Sequence, residues 1–436
     1  MKIISKLLKT IKNLIFVDEF DEIYKSATTR TIFVLYCCCG GFCFHNNVRT
    51  RFRKVWIIFN ILNSCLFYLF HLPTNDYYAW LLPAPVMLGV LDKIFYYLWV
   101  FLSVDFLPKL IDFFDNSPTD GEGVSASLLT VHVKKPQAKL ISGICCFIFL
   151  CTMTTSLGNY FCYENYFVHH YPTYFPFEKT IVLYIAIRSL QTITIIPELI
   201  IFLSAPTLII MITINIYSRF ELLGLFLRRA SYSVFLQMDE ASNMELAMDE
   251  KRIPSSLSRI QEVKIRKALA LDELTSKIII AIERHQKLIN VSQCVKQMEY
   301  VLFTPIHAQV FIQSIILAFF ISSITKTAPF HLLFQLTAIL CALLLIWLLF
   351  CFIGEMFQNM NQIIAMEIYD SPWYLLEPKD RRLVHTFLTI IQRPISITIY
   401  GLHPVNFCSF PNTLNTIYSQ VQILRTLQLN RQIHHN

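Results

Sequence analysis

The stretch LLFQLTAILCALLLIWLLFCFI, from Leu332 to Ile353, contains no charged side chain. A helix needs roughly 20 mostly apolar residues to cross the hydrocarbon core of a bilayer, so this stretch predicts a transmembrane helix. The whole chain agrees, because 55% of its 436 residues are hydrophobic and only 15% are charged. Such values exceed the apolar usage of ordinary soluble domains. The sequence therefore predicts an all-α, polytopic membrane protein.

We predict seven transmembrane helices. Hydropathy alone indicates six of them, but the seventh segment contains Asn412, Asn415, Gln420 and Gln422, which lower its mean hydropathy. A helix that lines water is expected to contain such polar residues, so we retain it. The predicted spans are residues 55–72, 80–107, 139–158, 180–203, 301–324, 332–353 and 405–428.

The distribution of Lys and Arg predicts the orientation of these spans. If Lys139, at the boundary of the third span, is counted with the loop before it, 31 of the 37 Lys and Arg residues fall in the N-terminal segment or in the loops after the second, fourth and sixth spans. Cytoplasmic loops are enriched in these residues. The N-terminus is therefore predicted to be inside and the C-terminus outside, which is the reverse of a G-protein-coupled receptor.

Spans and loops together predict six regions along the chain. They are a cytoplasmic N-terminal region with an amphipathic helix (1–54), transmembrane helices one to four (55–217), a cytoplasmic segment with helix extensions (218–300), transmembrane helices five and six (301–353), a cytoplasmic anchor segment (354–404), and a pore-lining helix with a short extracellular tail (405–436).

The long internal segment is predicted to be a loop followed by a helix. Residues 239–258 are charged and contain Pro254 and several Ser, which favours a loop. From Leu257 onward the apolar residues have helical spacing and predict a broad packing stripe. Its members are Ile260, Val263, Ile265, Leu269, Leu271, Leu274, Ile278 and Ile282.

Several classes of function are disfavoured by what the sequence lacks. It contains no nucleotide-cradling Gly loop, no HExxH and no nucleophile elbow, so neither an enzyme nor a bound cofactor is expected. Cys37, Cys38, Cys39, Cys43 and His45 lack a second ligand pair at zinc-site spacing, so no metal is expected. The net charge of +7 lies beside the apolar runs and indicates membrane topology rather than binding to nucleic acid.

The last predicted helix has two different faces. Leu414, Ile417, Val421 and Leu424 repeat at spacings of three, four and three, which favours packing along one face. Polar residues occupy much of the remainder, and Ile423 and Leu427 form a second apolar feature there. A polar stripe that ends in a bulky apolar residue suits a pore with a hydrophobic gate. A helix packed inside a bundle fits the same pattern equally well.

The stretch from Gly354 to Leu427 resembles the end of insect odorant receptors, in both the order and the spacing of its motifs. The matching pieces are Gly354-Glu355, then the run from Ile368 to Tyr374 (IYDSPWY), Arg381-Arg382, Gln392-Arg393-Pro394, and Tyr418-Ser419 through Leu424. A fainter similarity covers Glu283-Arg284-His285-Gln286-Lys287-Leu288 through Phe311.

The resemblance implies a tetrameric, non-selective cation channel in the membrane of olfactory neurons, in which tuning subunits combine with a shared co-receptor. This chain lacks the longer internal insertion of the co-receptor, so the resemblance implies an odorant-tuning subunit. It also implies an assembly platform that includes a cytoplasmic helix at about 372–393, with Trp373, Tyr374, Arg393 and Pro394 at the subunit contacts. Its pore and gate would be lined by Thr416, Ser419, Gln420, Ile423, Thr426 and Leu427, with Ile423 at the gate.

The resemblance also implies a pocket for a small volatile odorant between spans two, three, four and six. The residues at the corresponding places are Tyr77, Tyr78, Trp80, Thr152, Thr155, Asn159, Tyr184, Ile187 and Gln191. They provide a mostly apolar lining with a few polar groups, which is typical of pockets for small molecules.

Two alternatives remain open from the sequence. A gustatory receptor of the same superfamily would carry a Thr-Tyr pair followed by Gln-Phe, which Thr416, Tyr418 and Gln422 match only loosely. A G-protein-coupled receptor would need the opposite topology.

No Asp or Glu follows Asp380, so a carboxylate ring on the last helix cannot select cations.

Overall fold

The structure is a computed structural model, and it describes residues 181–250, 256–297, 303–324 and 330–435, together with Leu110, Phe113, Lys139 and Gly143. Within those ranges, side chains are described at 207–244, 261–293, 295–296, 303–323, 333–334 and 336–430. The predicted N-terminal amphipathic helix and the predicted spans 55–72 and 80–107 lie outside the described residues. Of the predicted span 139–158, only Lys139 and Gly143 are described.

Six α-helices and one small β-hairpin make up the described chain. The helices are α1 (Ile181–Glu250), α2 (Ser256–Gln297), α3 (Thr304–Ile324), α4 (Phe330–Tyr369), α5 (Pro378–Ile391) and α6 (Ser409–His435). A 3-10 turn covers Trp373–Leu375, and strands β1 (Thr398–Ile399) and β2 (His403–Pro404) pair in antiparallel register. Over the residues that the structure describes, the prediction of an all-α chain is therefore correct except for this two-residue ladder.

The helices α1 and α4 are longer than the spans predicted within them. A helix of 70 residues, such as α1, extends for roughly 105 Å at 1.5 Å per residue, far more than the hydrocarbon thickness of a bilayer. The predicted loop at 239–258 is wrong over its first half, since α1 continues to Glu250 and only residues 251–255 separate it from α2. The charged residues of this segment favoured a loop, but charged residues also occur on the solvent-exposed face of a helix.

Three described helices are long and apolar enough to cross a membrane. They contain the segments Thr207–Met244, Thr304–Ser323 and Leu336–Tyr369, and the last has the highest mean hydropathy of the three, 2.9. The predicted spans 301–324 and 332–353 coincide with α3 and the first part of α4. Helix α6 is absent from these three, as expected for a helix whose polar residues lower its hydropathy.

The described chain divides into two compact units. Of the described residues, the first unit contains those up to Ile212, those of Thr304–Ile346 and those from Leu414 onward, and the second contains those of Thr213–Phe303 and Trp347–Thr413. The second unit overlaps the two segments that the sequence predicts to be cytoplasmic, 218–300 and 354–404.

The core of the second unit follows directly from helical periodicity. From Ala270 onward the buried residues of α2 recur every three or four positions, and Val263 lies seven positions earlier on the same face, as expected for one face of a helix. They are Val263, Ala270, Leu274, Ile278, Ala281, His285, Leu288, Ser292 and Val295. Ile265 and Leu269, which were predicted in this stripe, are instead 59% and 62% exposed.

Candidate functional site: the last helix and the base that leads into it

Within the first unit, α6 packs through the apolar face predicted from its spacing. Ile417 and Val421 are buried against Phe319 of α3. Phe311, Ile315, Ala318, Leu344 and Leu424 pack around this cluster. The Oγ of Ser323 also donates a hydrogen bond of 3.3 Å to the Oε1 of Gln428. One face of α6 is therefore excluded from solvent and packed against α3.

The remaining faces of α6 are exposed. Thr416, Gln420, Ile423 and Leu427 follow spacings of four, three and four, so they form one stripe along the helix. Ile423 is 53% exposed and Leu427 is 56% exposed. This stripe contains four of the six predicted pore residues.

The other two predicted pore residues, Ser419 and Thr426, lie on a neighbouring exposed stripe. The hydroxyl of Ser419 donates to the carbonyl of Asn415 at 2.9 Å, and that of Thr426 donates to the carbonyl of Gln422 at 3.0 Å. Each hydroxyl oxygen keeps lone pairs that can accept hydrogen bonds from water. The exposed surface of α6 is thus polar with bulky apolar residues along it.

The predicted odorant-pocket residues are outside what the structure describes. Tyr77, Tyr78, Trp80, Thr152, Thr155 and Asn159 lie outside the described residues, and the side chains of Tyr184, Ile187 and Gln191 in α1 are not among those described. Their role remains a prediction.

In the second unit, a close approach joins α1 to α4. An added Cβ on Gly224 would lie 2.9 Å from Cγ2 of Ile363 and 3.5 Å from Cγ of Glu367. One turn further along α1, Arg228 forms an ion pair with Glu367 in which its Nε donates to Oε2 at 3.0 Å and its Nη2 donates to Oε1. Because Glu367 is buried, this two-pronged pairing compensates its carboxylate for the loss of water.

A buried polar chain joins α2 to α4 and to the end of α5. The Nδ2 of Asn361 donates to the backbone carbonyl of Arg393 at 2.8 Å, so its Oδ1 remains to accept a hydrogen bond from Nε2 of His285, 3.1 Å away. The His285 ring contacts Phe220 of α1 and Phe387 of α5 edge to face, with ring centroids 5.8 and 5.1 Å apart. Burial lowers the pKa of His285, partly offset by the hydrogen bond to Asn361. The ring is therefore a neutral donor at neutral pH.

The predicted assembly residues lie around the short helix α5. Pro378 begins α5 as its first residue, where the missing N–H removes no helical hydrogen bond. The helix ends before Arg393-Pro394, because a residue that precedes proline avoids the helical conformation. Tyr374, Arg393 and Pro394 are exposed and Trp373 is half-buried. The predicted helix at 372–393 is thus a 3-10 turn followed by α5.

Other apolar residues near α5 are exposed as well. They are Met366, Tyr369, Leu375, Leu383 and Ile390. Apolar residues this dense on an exposed surface typically indicate an interaction site.

The hairpin connects this unit to α6, and the sequence did not predict it. Its strands pair Thr398 with Pro404 and Ile399 with His403. Gly354 of α4 lies against it, since an added Cβ there would be 1.9 Å from the carbonyl oxygen of Val405. The neighbouring Glu355 accepts a hydrogen bond from the backbone N–H of Phe407 through Oε2, at 3.4 Å. The Gly354-Glu355 motif was visible in the sequence, but its role in holding the chain that enters α6 was not.

These observations define the chain as a helical membrane protein. Its helix α6 has one face that is packed and one that is exposed. A family model described as 7tm Odorant receptor matches residues 81–418 of the chain. The chain therefore belongs to the 7tm odorant receptor family, a family of multi-pass membrane receptors and not of enzymes.

Solved structures with the same fold support this assignment. The insect olfactory receptor OR5 from Machilis hrabei superposes with a TM-score of 0.66 and 13% identity, covering 87% of this chain and 90% of that one. The same receptor in complex with eugenol gives a TM-score of 0.65, again with 13% identity, covering 92% of this chain and 97% of that one. At this identity the likeness concerns the fold alone. No curated protein matches the chain by sequence.

Proposed function

We propose that this chain is the odorant-binding subunit of a heteromeric, odorant-gated, non-selective cation channel in the plasma membrane of olfactory sensory neurons. The observation that carries the proposal is the division of α6 into a face packed on α3 and a face left open in the single chain. Its membership of the odorant receptor family supplies the ligand class.

The orientation follows from charge. With Lys and Arg concentrated in the N-terminal segment and the loops after spans two, four and six, the N-terminus is inside and α6 runs outward from the cytosol. The segments 218–300 and 354–404, which include α2 and α5, then lie on the cytoplasmic side. The exposed apolar residues around Tyr369, Tyr374 and Ile390 provide a surface on which neighbouring subunits can pack.

The partner of this chain is the family's olfactory co-receptor subunit, in a heterotetramer. In such an assembly the exposed stripe of α6 faces the other subunits around a common axis. Thr416 and Gln420 would face water in the cytoplasmic half of the pore, and Ile423 would narrow it, because an apolar ring excludes water and ions until it widens.

Cation preference needs another source than side-chain carboxylates on α6. The C-terminal end of a helix carries a partial negative charge from its unpaired carbonyls. In the proposed orientation the end of α6 near His435 lies at the outer mouth, and its partial charge is one of three candidate sources, beside the vestibule and the partner's helices.

The ligand is a small volatile odorant, as the receptor fold and the mostly apolar predicted pocket suggest. A solved structure of the insect olfactory receptor OR5 holds eugenol. We carry over only the ligand class to this chain and not the compound.

Co-expression of this chain with the co-receptor is expected to produce inward cation currents in response to at least one compound of a broad odorant panel. Cells that express the co-receptor alone are the control, and surface labelling establishes delivery of both subunits. An absence of any odorant-dependent current, with both subunits on the surface, would contradict the proposal.

Replacement of Ile423 by Ala is expected to raise the basal current severalfold, because a smaller side chain weakens the apolar constriction. Leu429→Ala is the matched control. Leu429 is 59% exposed, similar to Ile423, but six positions further along it points about 120° away around the helix. Equal leak in the two variants, at equal surface density, would remove Ile423 from the gate.

A further inference from the structure

The hairpin before α6 has an unusual tip. Tyr400 and Gly401 have φ angles of 54° and 69°, and the N–H of Leu402 donates to the carbonyl of Ile399 at 3.0 Å to close the turn. A turn with two consecutive residues in the left-handed region normally contains Asn, Asp or Gly at both positions. A tyrosine there costs on the order of 1 kcal/mol or more in backbone strain. Such strain persists only where the surrounding structure holds the residue in place, and strained residues cluster at functional sites.

The tip is apolar on its outside as well as on its inside. Ile397, Ile399 and Val405 are buried against the rest of the second unit, as expected for one face of a hairpin. On the outside, however, Leu402 is 77% exposed and Tyr400 is 50% exposed. Leu402 is the most exposed of the large hydrophobic residues that the structure describes.

The segment that contains the hairpin has no formal charge. From Pro394 to Leu424 the sequence contains no Asp, Glu, Lys or Arg. Free strand edges in water are protected from aggregation by charged residues, by Pro, or by being very short. This hairpin has two-residue strands and Pro404 but no charged residue, so no charge at its tip opposes contact with lipid.

The height of the hairpin is set by its contacts with α4. It packs against Gly354, the first residue after the uncharged stretch Leu332–Ile353, and Phe407 lies beside Phe352 with ring centroids 6.1 Å apart. Both Phe352 and Phe407 are exposed. The hairpin is therefore level with the point at which the apolar span of α4 ends.

We propose that the hairpin tip is a membrane foot, in which Tyr400, Leu402 and Phe407 insert into the interfacial layer of the phospholipid bilayer beside the entry to α6. Tyrosine is favoured at this depth because its ring is apolar and its hydroxyl reaches the headgroups. Leucine adds apolar area that is removed from water. The foot holds the start of α6 at a fixed depth, and only the assignment to the cytoplasmic leaflet rests on the proposed function.

The proposal is tested by measuring the depth of the tip in a bilayer. An environment-sensitive fluorescent amino acid is incorporated at position 402 of the full-length chain, which is reconstituted in phosphatidylcholine nanodiscs. Lipids with a nitroxide on the headgroup or high on the acyl chain then quench the probe. Quenching at position 402 is expected to exceed, severalfold, that of a probe at position 369.

Tyr369 is the matched control because it is 71% exposed and ends the same helix that Gly354 belongs to. It lies fifteen residues beyond Gly354, or roughly 22 Å further along α4. Quenching at position 402 that is no stronger than the quenching at position 369 would place the tip away from the bilayer and overturn the proposal. Cross-linking of position 402 to a second copy of the chain in place of lipid would overturn it too, by assigning the tip to a subunit contact.

A pair of substitutions at Tyr400 separates membrane insertion from folding. Tyr400→Gly relieves the backbone strain and keeps the turn, but it removes the ring, whereas Tyr400→Trp keeps an interfacial aromatic. With the probe at 402, quenching is expected to fall in the glycine variant and to persist in the tryptophan variant. Unchanged quenching in both variants would show that the ring has no part in insertion. These measurements need no odorant. A negative odorant screen can therefore be distinguished from a hairpin tip that does not insert into the membrane.

Discussion

Replacement of Gly354 by Ala is expected to prevent the chain from folding well enough to reach the cell surface. The added Cβ would lie 1.9 Å from the carbonyl oxygen and 2.7 Å from the carbonyl carbon of Val405. Both are backbone atoms, so no rotamer change can relieve the overlap, and the strand or the helix must move. Overpacking of this kind costs at least the roughly 1–3 kcal/mol that is typical of a tightly packed core.

Gly143→Ala is the control for the general effect of removing a helical glycine. Gly143 is also helical, but an added Cβ there would meet nothing within 4 Å. That substitution is expected to be neutral or to stabilise by up to about 1 kcal/mol, because Ala has the higher helix propensity. Surface labelling and the melting temperature of the protein in detergent measure both variants. Normal delivery and an unchanged Tm for Gly354→Ala would show that the α4–hairpin contact is looser than described.

Replacement of Asn361 by Leu is expected to lower the stability of the second unit by several kcal/mol without changing its core volume much. The substitution removes the acceptor for Nε2 of His285 and the donor to the carbonyl of Arg393. A buried polar group left without a partner costs roughly 1–3 kcal/mol, and here two groups lose theirs. We expect a lower Tm in detergent and smaller odorant currents, because the Arg393 carbonyl marks where the chain leaves α5 for the hairpin and α6.

The double variant His285→Phe with Asn361→Leu distinguishes the loss of hydrogen bonds from a loss of packing. Replacing both partners of a buried hydrogen bond by apolar groups of similar shape can be nearly neutral. Phe at 285 would also extend the edge-to-face contacts with Phe220 and Phe387. The double variant is therefore expected to be more stable than Asn361→Leu alone. A double variant that is less stable than the single one would show that His285 makes a further contribution.

Much of the architecture could be predicted because apolar spans are a direct property of sequence. The span predicted at 301–324 begins three residues before α3 and ends with it, and the span predicted at 332–353 lies within α4. The spacing of Ile417 and Val421 indicated the face of α6 that is buried. The motifs from Gly354 to Leu427 indicated the family that the family model then established. Local periodicity and hydropathy carry these features, and neither depends on distant residues.

Other features depend on residues that are far apart in the chain. Arg228 and Glu367 are 139 positions apart, and His285 and Asn361 are 76 positions apart, so no local pattern indicates either pair. The sequence shows Asn361 and Glu367 only as polar residues of a long helical segment, and it does not indicate that they are buried. The exposure of Ile265 and Leu269 was also missed, because helical spacing shows that residues share a face but not how much of that face is covered.

By itself, the sequence determined that the chain is a helical membrane protein, which of its segments are apolar enough to span, and how the two faces of α6 differ. These properties follow from the free energy of transferring each segment from water to lipid, which is local. Only the tertiary structure decided that α1 continues past residue 239, that a hairpin enters α6, and that Gly354 meets the backbone at Val405. These depend on which surfaces meet when distant segments pack, and that packing energy is not written in any one segment.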